Sequence, residues 1–187
     1  MSQKTVSFVR HGEADYNLLD RVNSDPHVTN NLTVTGREQA ACSVASLGQP
    51  SIHVIYCSEF PRARQTAEII NQRFNAPIVI DPLINETGAF AFEGKPCRLW
   101  HEAQIPDRFT ATVAGCESFA DMKRRLGQFL DRLCGISEQH ILVVSHEEPI
   151  QLMTGLIEGL SDEVAKSRPI SHCFPITLQL TRSGLAS

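Results

Sequence analysis

Short runs of β-branched and other apolar residues alternate along the chain with segments whose apolar residues recur at helical spacing. Five such runs predict strands at residues 5–9, 53–57, 77–80, 141–145 and 176–180. Between them the spacing predicts helices at 35–47, 62–74 and 118–134, and Pro149 is predicted to be the first residue of another helix ending near Leu156. Continuous apolar strands separated by helices favour an α/β fold, a three-layer α/β/α sandwich with a mostly parallel central sheet.

Residues 84–116 interrupt this alternation. The segment is rich in glycine, proline and aromatic residues, so we interpret it as an insertion or lid. A chain of 187 residues fits one domain. We therefore expect a single domain over residues 1–187 that carries this insertion.

Charge and cysteine content narrow the range of partners. A net charge of -4 gives no electrostatic reason to expect nucleic acid. No run approaches the roughly 18 apolar residues of a membrane span, and the N-terminus shows no apolar signal segment. Because the six cysteines are scattered and form no CxxC pair, we expect a cytoplasmic protein with free thiols. The sequence leaves the oligomeric state open.

Three of the predicted strands lead into basic or reactive side chains. The first leads into Arg10, His11 and Gly12, the second into a helix with Arg62 in its first turn, and the fourth into His146. Ligands of open α/β sheets bind beyond the carboxyl ends of the strands, so these side chains are expected to meet. Alone, Arg62 and His146 would each be read as structural or solvated residues. Their joint occurrence favours an anion site.

Two arginines and two histidines at one edge of a sheet suit a phosphate group. Guanidinium groups donate paired hydrogen bonds to phosphate oxygens and stay charged at every relevant pH. A neutral imidazole can attack phosphorus when its other nitrogen donates to a fixed acceptor. Without a Cβ, Gly12 would let the backbone turn sharply and would leave room beside the attacking ring.

Six motifs in this order resemble those of the histidine phosphatase superfamily, the phosphoglycerate mutase-like proteins. They are RHGEADYN at 10–17, LTVTGREQA at 32–40, SEFPRARQTA at 58–67, INETGAFAFEG at 84–94, GCES at 115–118 and VVSHEEPI at 143–150. A lone RHG would be weak evidence, but six ordered motifs cover nearly the whole chain. The resemblance implies the phosphoglycerate mutase-like fold and the phosphatase branch.

The resemblance also implies a role for each catalytic residue. His11 would be the nucleophile that becomes a phosphohistidine. Arg10, Arg62 and a charged His146 would surround the transferred phosphoryl group. Glu86 matches the usual proton donor, which would protonate the departing alkoxide and then take a proton from the attacking water.

Three residues are candidates for substrate binding. Asn17 matches a position that often contacts the phosphate in this family, and Gly12 lies beside the nucleophile. After His146, family members commonly carry small residues or Asn, whereas this chain carries Glu147 and Glu148. Either both carboxylates lie on the solvated first turn of the following helix, or Glu148 contacts a cationic part of the substrate. No metal or other cofactor is expected, because the chain shows no metal-ligand spacing.

The resemblance leaves several activities open. We favour hydrolysis of a small phosphorylated metabolite, because the family's mutases are longer and the chain ends soon after its last strand. Protein phosphohistidine phosphatases typically lack the acid-bearing segment that this chain keeps, and a non-catalytic phosphate-binding module is the remaining alternative. Substrate specificity is expected to lie in the 84–116 segment, where Lys95 and Arg98 could recognise a second acidic group. Its aromatic candidates are Phe90, Phe92 and Trp100.

Overall fold

A five-stranded sheet forms the centre of the computed structural model, which describes residues 3–48 and 51–181. Its strands are β1 (Lys4–Arg10), β2 (Val54–Cys57), β3 (Ile78–Ile80), β4 (His140–Ser145) and β5 (Ile176–Leu180). In the order β3-β2-β4-β1-β5, the first four strands are parallel and β5 runs antiparallel to β1. The predicted α/β fold with a mostly parallel sheet is confirmed.

Seven helices and two 3-10 turns are found in the described part of the chain. The helices are α1 (Asp15–Leu18), α2 (Val34–Leu47), α3 (Pro61–Phe74), α4 (Cys97–Ala103), α5 (Phe119–Gly135), α6 (Glu147–Glu158) and α7 (Asp162–Lys166). The predicted helices at 35–47, 62–74 and 118–134 are confirmed to within one residue. The prediction that Pro149 begins a helix is wrong, because α6 begins at Glu147. The first N–H groups of a helix have no intrahelical partner, so proline fits the third helical position as well as the first.

Alternate residues of the central strands face two helical layers. Val6 and Phe8 of β1 are buried in a core that includes residues of α5 and α6. Val9, the next residue of the strand, is buried in a second core with residues of α2 and α3. Because successive strand side chains point to opposite faces, the sheet lies between the two helical layers. This is the predicted three-layer sandwich.

Residues 84–116 contribute no strand to the sheet. The segment contains the 3-10 turn Phe90–Phe92 and helix α4. Within it Ala89 and Trp100 are buried with Val22 in a small third core. Residues of this segment and Arg10, at the end of β1, line one cavity.

Two further findings concern membrane-spanning helices and the state of the cysteines. No helix within residues 3–48 and 51–181 is both long and apolar enough to cross a membrane. The free thiols include the five side chains of Cys42, Cys57, Cys97, Cys116 and Cys173.

Two glycines let the segment after β1 pack directly against the start of α2. A Cβ on Gly12 would lie 2.3 Å from the carbonyl oxygen of Gly36, and a Cβ on Gly36 would lie 2.0 Å from the carbonyl oxygen of Glu13. Gly12 is not among the residues with a left-handed backbone. The sharp turn expected at Gly12 is therefore not what requires glycine there. The close approach of two backbones requires it.

Replacing Gly12 with alanine is expected to destabilise the protein by about 1–3 kcal/mol, because the new methyl group would overlap backbone that cannot rotate away. The measurement is urea unfolding. Gly127→Ala is the matched control, since Gly127 lies inside α5 with open space around its would-be Cβ. Alanine there is expected to stabilise the helix by about 1 kcal/mol. Equal effects of the two substitutions would contradict the packing argument.

Candidate active site

The parallel sheet brings the residues that follow β1 and β4 together at its carboxyl edge. Arg10 pairs with Ser145 in the ladder, and the next residue, His11, donates its backbone N–H to the Ser145 carbonyl at 3.0 Å. The rings of His11 and His146 lie 5.1 Å apart between centroids. Arg62, in the first turn of α3, reaches both rings. The expected meeting of these four side chains is therefore observed.

The ring of His11 is buried and held in one tautomer. Its Nδ1 lies 2.7 Å from the carbonyl oxygen of Gly12, which can only accept, so Nδ1 carries the proton. Nε2 accepts a hydrogen bond from Nε of Arg62 at 3.0 Å. Burial, reinforced by the charge of Arg62, lowers the pKa of His11 well below its usual value. The ring is therefore neutral at neutral pH, with a lone pair on Nε2.

Arg62 is a buried cation whose hydrogen-bond acceptors are neutral side chains. Besides His11, its guanidinium donates to Nδ1 of His146 at 3.1 Å and to the side-chain oxygen of Asn23. A carboxylate oxygen of Glu86 is 3.8 Å away. Burial lowers the pKa of Arg62 to about 10, which leaves it charged at neutral pH. The positive charge is thus compensated only in part, which suits an anion. The sequence offered no signal for Asn23, an asparagine in a loop.

His146 is fully buried and takes the opposite tautomer to His11. Because its Nδ1 accepts from Arg62, its Nε2 carries the proton and donates to the hydroxyl of Ser58 at 2.8 Å. Burial and the charge of Arg62 lower the pKa of His146 well below its usual value. The neutral ring is favoured here because an imidazolium would face a guanidinium inside the protein. A charged His146 beside a bound phosphoryl group stays a prediction.

Glu86 lies close to Arg62 and His146. One of its carboxylate oxygens is 3.6 Å from Nδ1 of His146, and the other accepts from the backbone N–H of Thr87 at 3.0 Å. Burial raises the pKa of Glu86, an effect that Arg62 opposes and the nearby charge of Glu148 reinforces. A carboxyl group with a raised pKa keeps its proton to higher pH, as a proton donor requires.

Arg125 of α5 holds the segment that carries Glu86. Its guanidinium donates to the carbonyl oxygens of Leu83, Asn85 and Glu86 at 2.7, 2.9 and 3.1 Å. It also pairs with Glu117 at 2.6 Å. Sequence analysis missed Arg125, because an arginine on an amphipathic helix gives no sign of its partners 40 residues away.

Glu147 pairs with Arg10. Its carboxylate lies 2.8 Å from Nη1 of Arg10, which also donates to the carbonyl of Ile170 at 2.8 Å. Nε of Arg10 is buried without a hydrogen-bond partner among the described residues. The charge of Glu147 is thus matched by a neighbouring cation.

Glu148 differs from Glu147 in being largely buried. One oxygen accepts from Arg108 at 2.6 Å and from Lys166 at 2.5 Å, and the other accepts from the hydroxyl of Thr87. Burial by itself would raise the pKa of Glu148, but Lys166, with Thr87 and Arg108, brings it below its usual value. The expectation of a solvated first turn is therefore wrong for Glu148. Two protein cations account for its charge without a substrate cation.

These side chains line a cavity of about 460 Å³. Of the candidate site residues, Arg10, His11, Asn17, Arg62, Glu86 and Glu148 are among those that line it. His146 lies behind Arg62, and Gly12 contributes its carbonyl oxygen to His11 rather than a surface to the cavity.

The 84–116 segment supplies a different set of lining residues from the one expected. Trp100 lines the cavity, but Lys95 and Arg98 do not. Lys95 donates to the carbonyl of Ala91, and Arg98 is exposed and pairs with Glu102. The suggestion that these two cations recognise a second acidic group is therefore wrong. Arg108 and Lys166 line the cavity instead.

Comparison with known proteins identifies the same family that the sequence motifs resemble. Residues 6–186 match the model of the histidine phosphatase superfamily (branch 1). The chain is 28% identical over 168 residues to the uncharacterized phosphatase PhoE of Bacillus subtilis (strain 168), covering 90% of this chain and 84% of that protein. It is 31% identical over 163 residues to the adenosylcobalamin/alpha-ribazole phosphatase of Escherichia coli (strain K12), covering 83% and 79%.

A solved structure extends the similarity to three dimensions. The alpha-ribazole phosphatase from Shigella flexneri superposes with a TM-score of 0.84 at 25% identity, over 92% of this chain and 89% of that one. The order of motifs, the sheet and the match over almost the full length agree. The chain therefore belongs to the histidine phosphatase superfamily, branch 1.

Proposed function

We propose that the protein hydrolyses a small phosphomonoester through a phosphohistidine intermediate on His11. The observation that carries the proposal is the neutral, buried ring of His11, with its Nδ1–H fixed on Gly12 and a lone pair on Nε2 beside Arg62. Imidazole is a nucleophile in this state. Relatives that are phosphatases support the same class of reaction.

Phosphate binding would exchange the neutral acceptors of Arg62 for charged ones. In the structure Nε of Arg62 donates to the nitrogen of His11 that must attack. A phosphate dianion is a stronger acceptor for guanidinium than an imidazole or an amide oxygen. Substrate would therefore draw Arg62 away from His11 and free the lone pair. Arg10, at the same edge of the sheet, would hold other phosphate oxygens.

The reaction divides into two balanced steps. In the first, Nε2 of His11 bonds to phosphorus, the ester P–O bond breaks, and Glu86 gives its proton to the departing oxygen. In the second, Glu86 takes a proton from water, the water oxygen bonds to phosphorus, and the P–N bond breaks. Inorganic phosphate leaves, and His11 and Glu86 regain their starting protonation. Arg10 and Arg62 stabilise the negative charge on the equatorial oxygens in both steps.

The remaining candidates take supporting roles in this scheme. The side-chain oxygen of Asn17 accepts from the backbone N–H of Ala14 at 2.9 Å, so its NH₂ group is the part that would contact a phosphate oxygen. Gly12 fixes the His11 tautomer instead of contacting substrate. The 84–116 segment would act as a lid that supplies Glu86 and Trp100 to the cavity.

A cavity with a placed acid favours a small ester over a phosphorylated protein. The cavity of about 460 Å³ has room for a metabolite-sized leaving group. Glu86 is held beside the reacting groups, and proton donation matters most when the leaving group is an alkoxide. The imidazole of a phosphohistidine is a better leaving group than an alkoxide, so its departure needs less help from a proton donor.

Wild-type protein is expected to hydrolyse p-nitrophenyl phosphate in the presence of EDTA, releasing nitrophenol and inorganic phosphate in equal amounts. Arg10 and Arg62 supply the positive charge, and no three His, Cys, Asp or Glu side chains in the described part of the chain are grouped to hold a metal. No turnover would favour a non-catalytic phosphate-binding module. Phosphoryl transfer to an added alcohol in preference to water would favour a transferase.

A further inference from the structure

Two cations share one carboxylate oxygen on the wall of the cavity. Nζ of Lys166 lies 2.5 Å from Oε1 of Glu148, and Nη2 of Arg108 lies 2.6 Å from the same atom. All three residues line the cavity that contains His11. We call Lys166 and Arg108 the distal cation pair. They reach the same point from positions 18 and 40 residues away from Glu148.

The distal cation pair carries more positive charge than Glu148 compensates. Two unit charges face one carboxylate, whose second oxygen accepts from Thr87. Among the described residues, Glu148 is the hydrogen-bond partner of both the Lys166 and the Arg108 side chain, and no second partner is found for either side chain. An ammonium has three N–H donors and a guanidinium five, so most of their donors stay available to a ligand.

Burial makes this incomplete pairing of Lys166 unfavourable. Its side chain is only 8% exposed. Burial lowers the pKa of Lys166, and Glu148 opposes that shift. A buried ammonium is costly unless it is paired and hydrogen-bonded, so a second anion beside it would lower the free energy of the site.

The position of Lys166 is built into the packing of two helices. Lys166 is the last residue of α7, and the side-chain amide of Gln151 in α6 donates to its carbonyl oxygen at 3.2 Å. The same amide donates to the carbonyl of Arg168 at 2.6 Å. Gln151 thus ties the end of α7 to α6, which also carries Glu148.

The distal cation pair lies near Glu86, whose charge acts on Lys166. Glu86 protonates the leaving oxygen in the proposed function, so the remainder of the substrate extends past Glu86. Thr87 follows Glu86 directly and donates to Glu148. Glu86 is thus linked to the distal cation pair through its neighbour Thr87 and through Glu148, which accepts hydrogen bonds from Thr87 and from both cations.

We infer that Lys166 and Arg108 form a second anion subsite, which binds a carboxylate or phosphate group on the leaving-group portion of the substrate. This inference rests on the proposed function, because Glu86 as proton donor fixes where the leaving group lies. The substrates would then be phosphomonoesters with a second acidic group, and Glu148 would hold the two cations in place to receive it.

The test compares two substrates that differ in one charge, 3-carboxyphenyl phosphate and 3-carbamoylphenyl phosphate. Wild-type protein is expected to favour the carboxylate by about tenfold or more in kcat/KM, the size expected of a charge-assisted hydrogen bond. Lys166→Met is expected to reduce that ratio to less than about threefold, and Arg108→Gln provides an independent second variant. Lys123→Met is the control, since Lys123 pairs with Asp162 and does not line the cavity.

A wild-type ratio near one, or a ratio that both Lys166→Met and Arg108→Gln retain, would overturn the subsite while leaving the proposed hydrolysis intact. Turnover of neither compound would instead overturn the proposed hydrolysis. In that case calorimetric binding of the same two compounds to His11→Ala decides the subsite. Binding of the carboxylate about tenfold more tightly supports it, and equal affinities overturn it.

Discussion

Replacing His11 with alanine is expected to lower kcat for p-nitrophenyl phosphate by at least about 10⁴-fold, the size seen when an enzyme loses its nucleophile. Without the imidazole, water would have to attack the ester directly. Arg10 and Arg62 remain in the variant, and Nε of Arg62 no longer donates to His11. Phosphate affinity is therefore expected to persist while turnover is lost. The measurement pairs steady-state kinetics with calorimetric titration of inorganic phosphate.

The phosphorylated intermediate gives a second readout of the same substitution. A phosphohistidine is stable in alkali and labile in acid, unlike a phosphoserine. Wild-type protein quenched in base during turnover of ³²P-labelled substrate is expected to carry label on the peptide that contains His11. His11→Ala is expected to carry none.

His53→Ala serves as the matched control for this experiment. His53 stacks on His140 at 5.0 Å, away from the residues that line the cavity. Its removal is expected to leave turnover and labelling unchanged. Retention of activity by His11→Ala, or label on another residue, would rule out His11 as the nucleophile.

The sequence was sufficient to predict which residues meet at the sheet edge. The reason is geometric, because parallel strands end at one edge and each short run of apolar residues is followed at once by its polar side chain. Arg10, His11 and His146 could be placed in this way, and Arg62 followed from the first turn of the helix after β2.

Protonation states could not be predicted in the same way. The expectation of a charged His146 followed from its place beside a phosphate, but the ring is buried against Arg62 and donates to Ser58. The charge of a buried imidazole depends on the dielectric and on every neighbouring charge, which only the assembled site provides. The same holds for the raised pKa of Glu86.

The distal cation pair was also beyond the reach of the sequence. Lys166 and Arg108 approach Glu148 because α7 folds back on α6 and because the 84–116 segment returns to the cavity. No local spacing encodes either contact. Lys95 and Arg98 lie in the 84–116 segment, where substrate specificity is expected, yet they face other partners.

Replacing Glu86 with glutamine is expected to affect poor leaving groups far more than good ones. For phenyl phosphate, kcat/KM is expected to fall by about 10²–10⁴-fold, the usual contribution of a general acid. For p-nitrophenyl phosphate, whose phenolate leaves without a proton, the loss is expected to stay below tenfold. The ratio kcat/KM is the right measure, because it reports the first step and excludes hydrolysis of the phosphoenzyme.

The pH profile tests the same assignment through the raised pKa of Glu86. Glu86 must be protonated to act, so the kcat/KM of phenyl phosphate is expected to be high below the Glu86 pKa and to fall as pH rises through it. Burial and the charge of Arg62 lower the pKa of His11 well below its usual value, so the ring is neutral at neutral pH. The second ionisation of the substrate phosphate, at about pH 6, affects the pH profiles of wild type and Glu86→Gln alike. The advantage of wild type over Glu86→Gln should therefore shrink toward alkaline pH.

Glu102→Gln is the control, because Glu102 is exposed, pairs with Arg98 and does not line the cavity. It is expected to leave both the leaving-group dependence and the pH profile unchanged. If Glu86→Gln lowers kcat/KM for phenyl and p-nitrophenyl phosphate equally and at every pH, Glu86 does not donate the proton. Its position near Arg62 and His146 would then serve to hold those side chains, and another group would have to protonate the leaving oxygen.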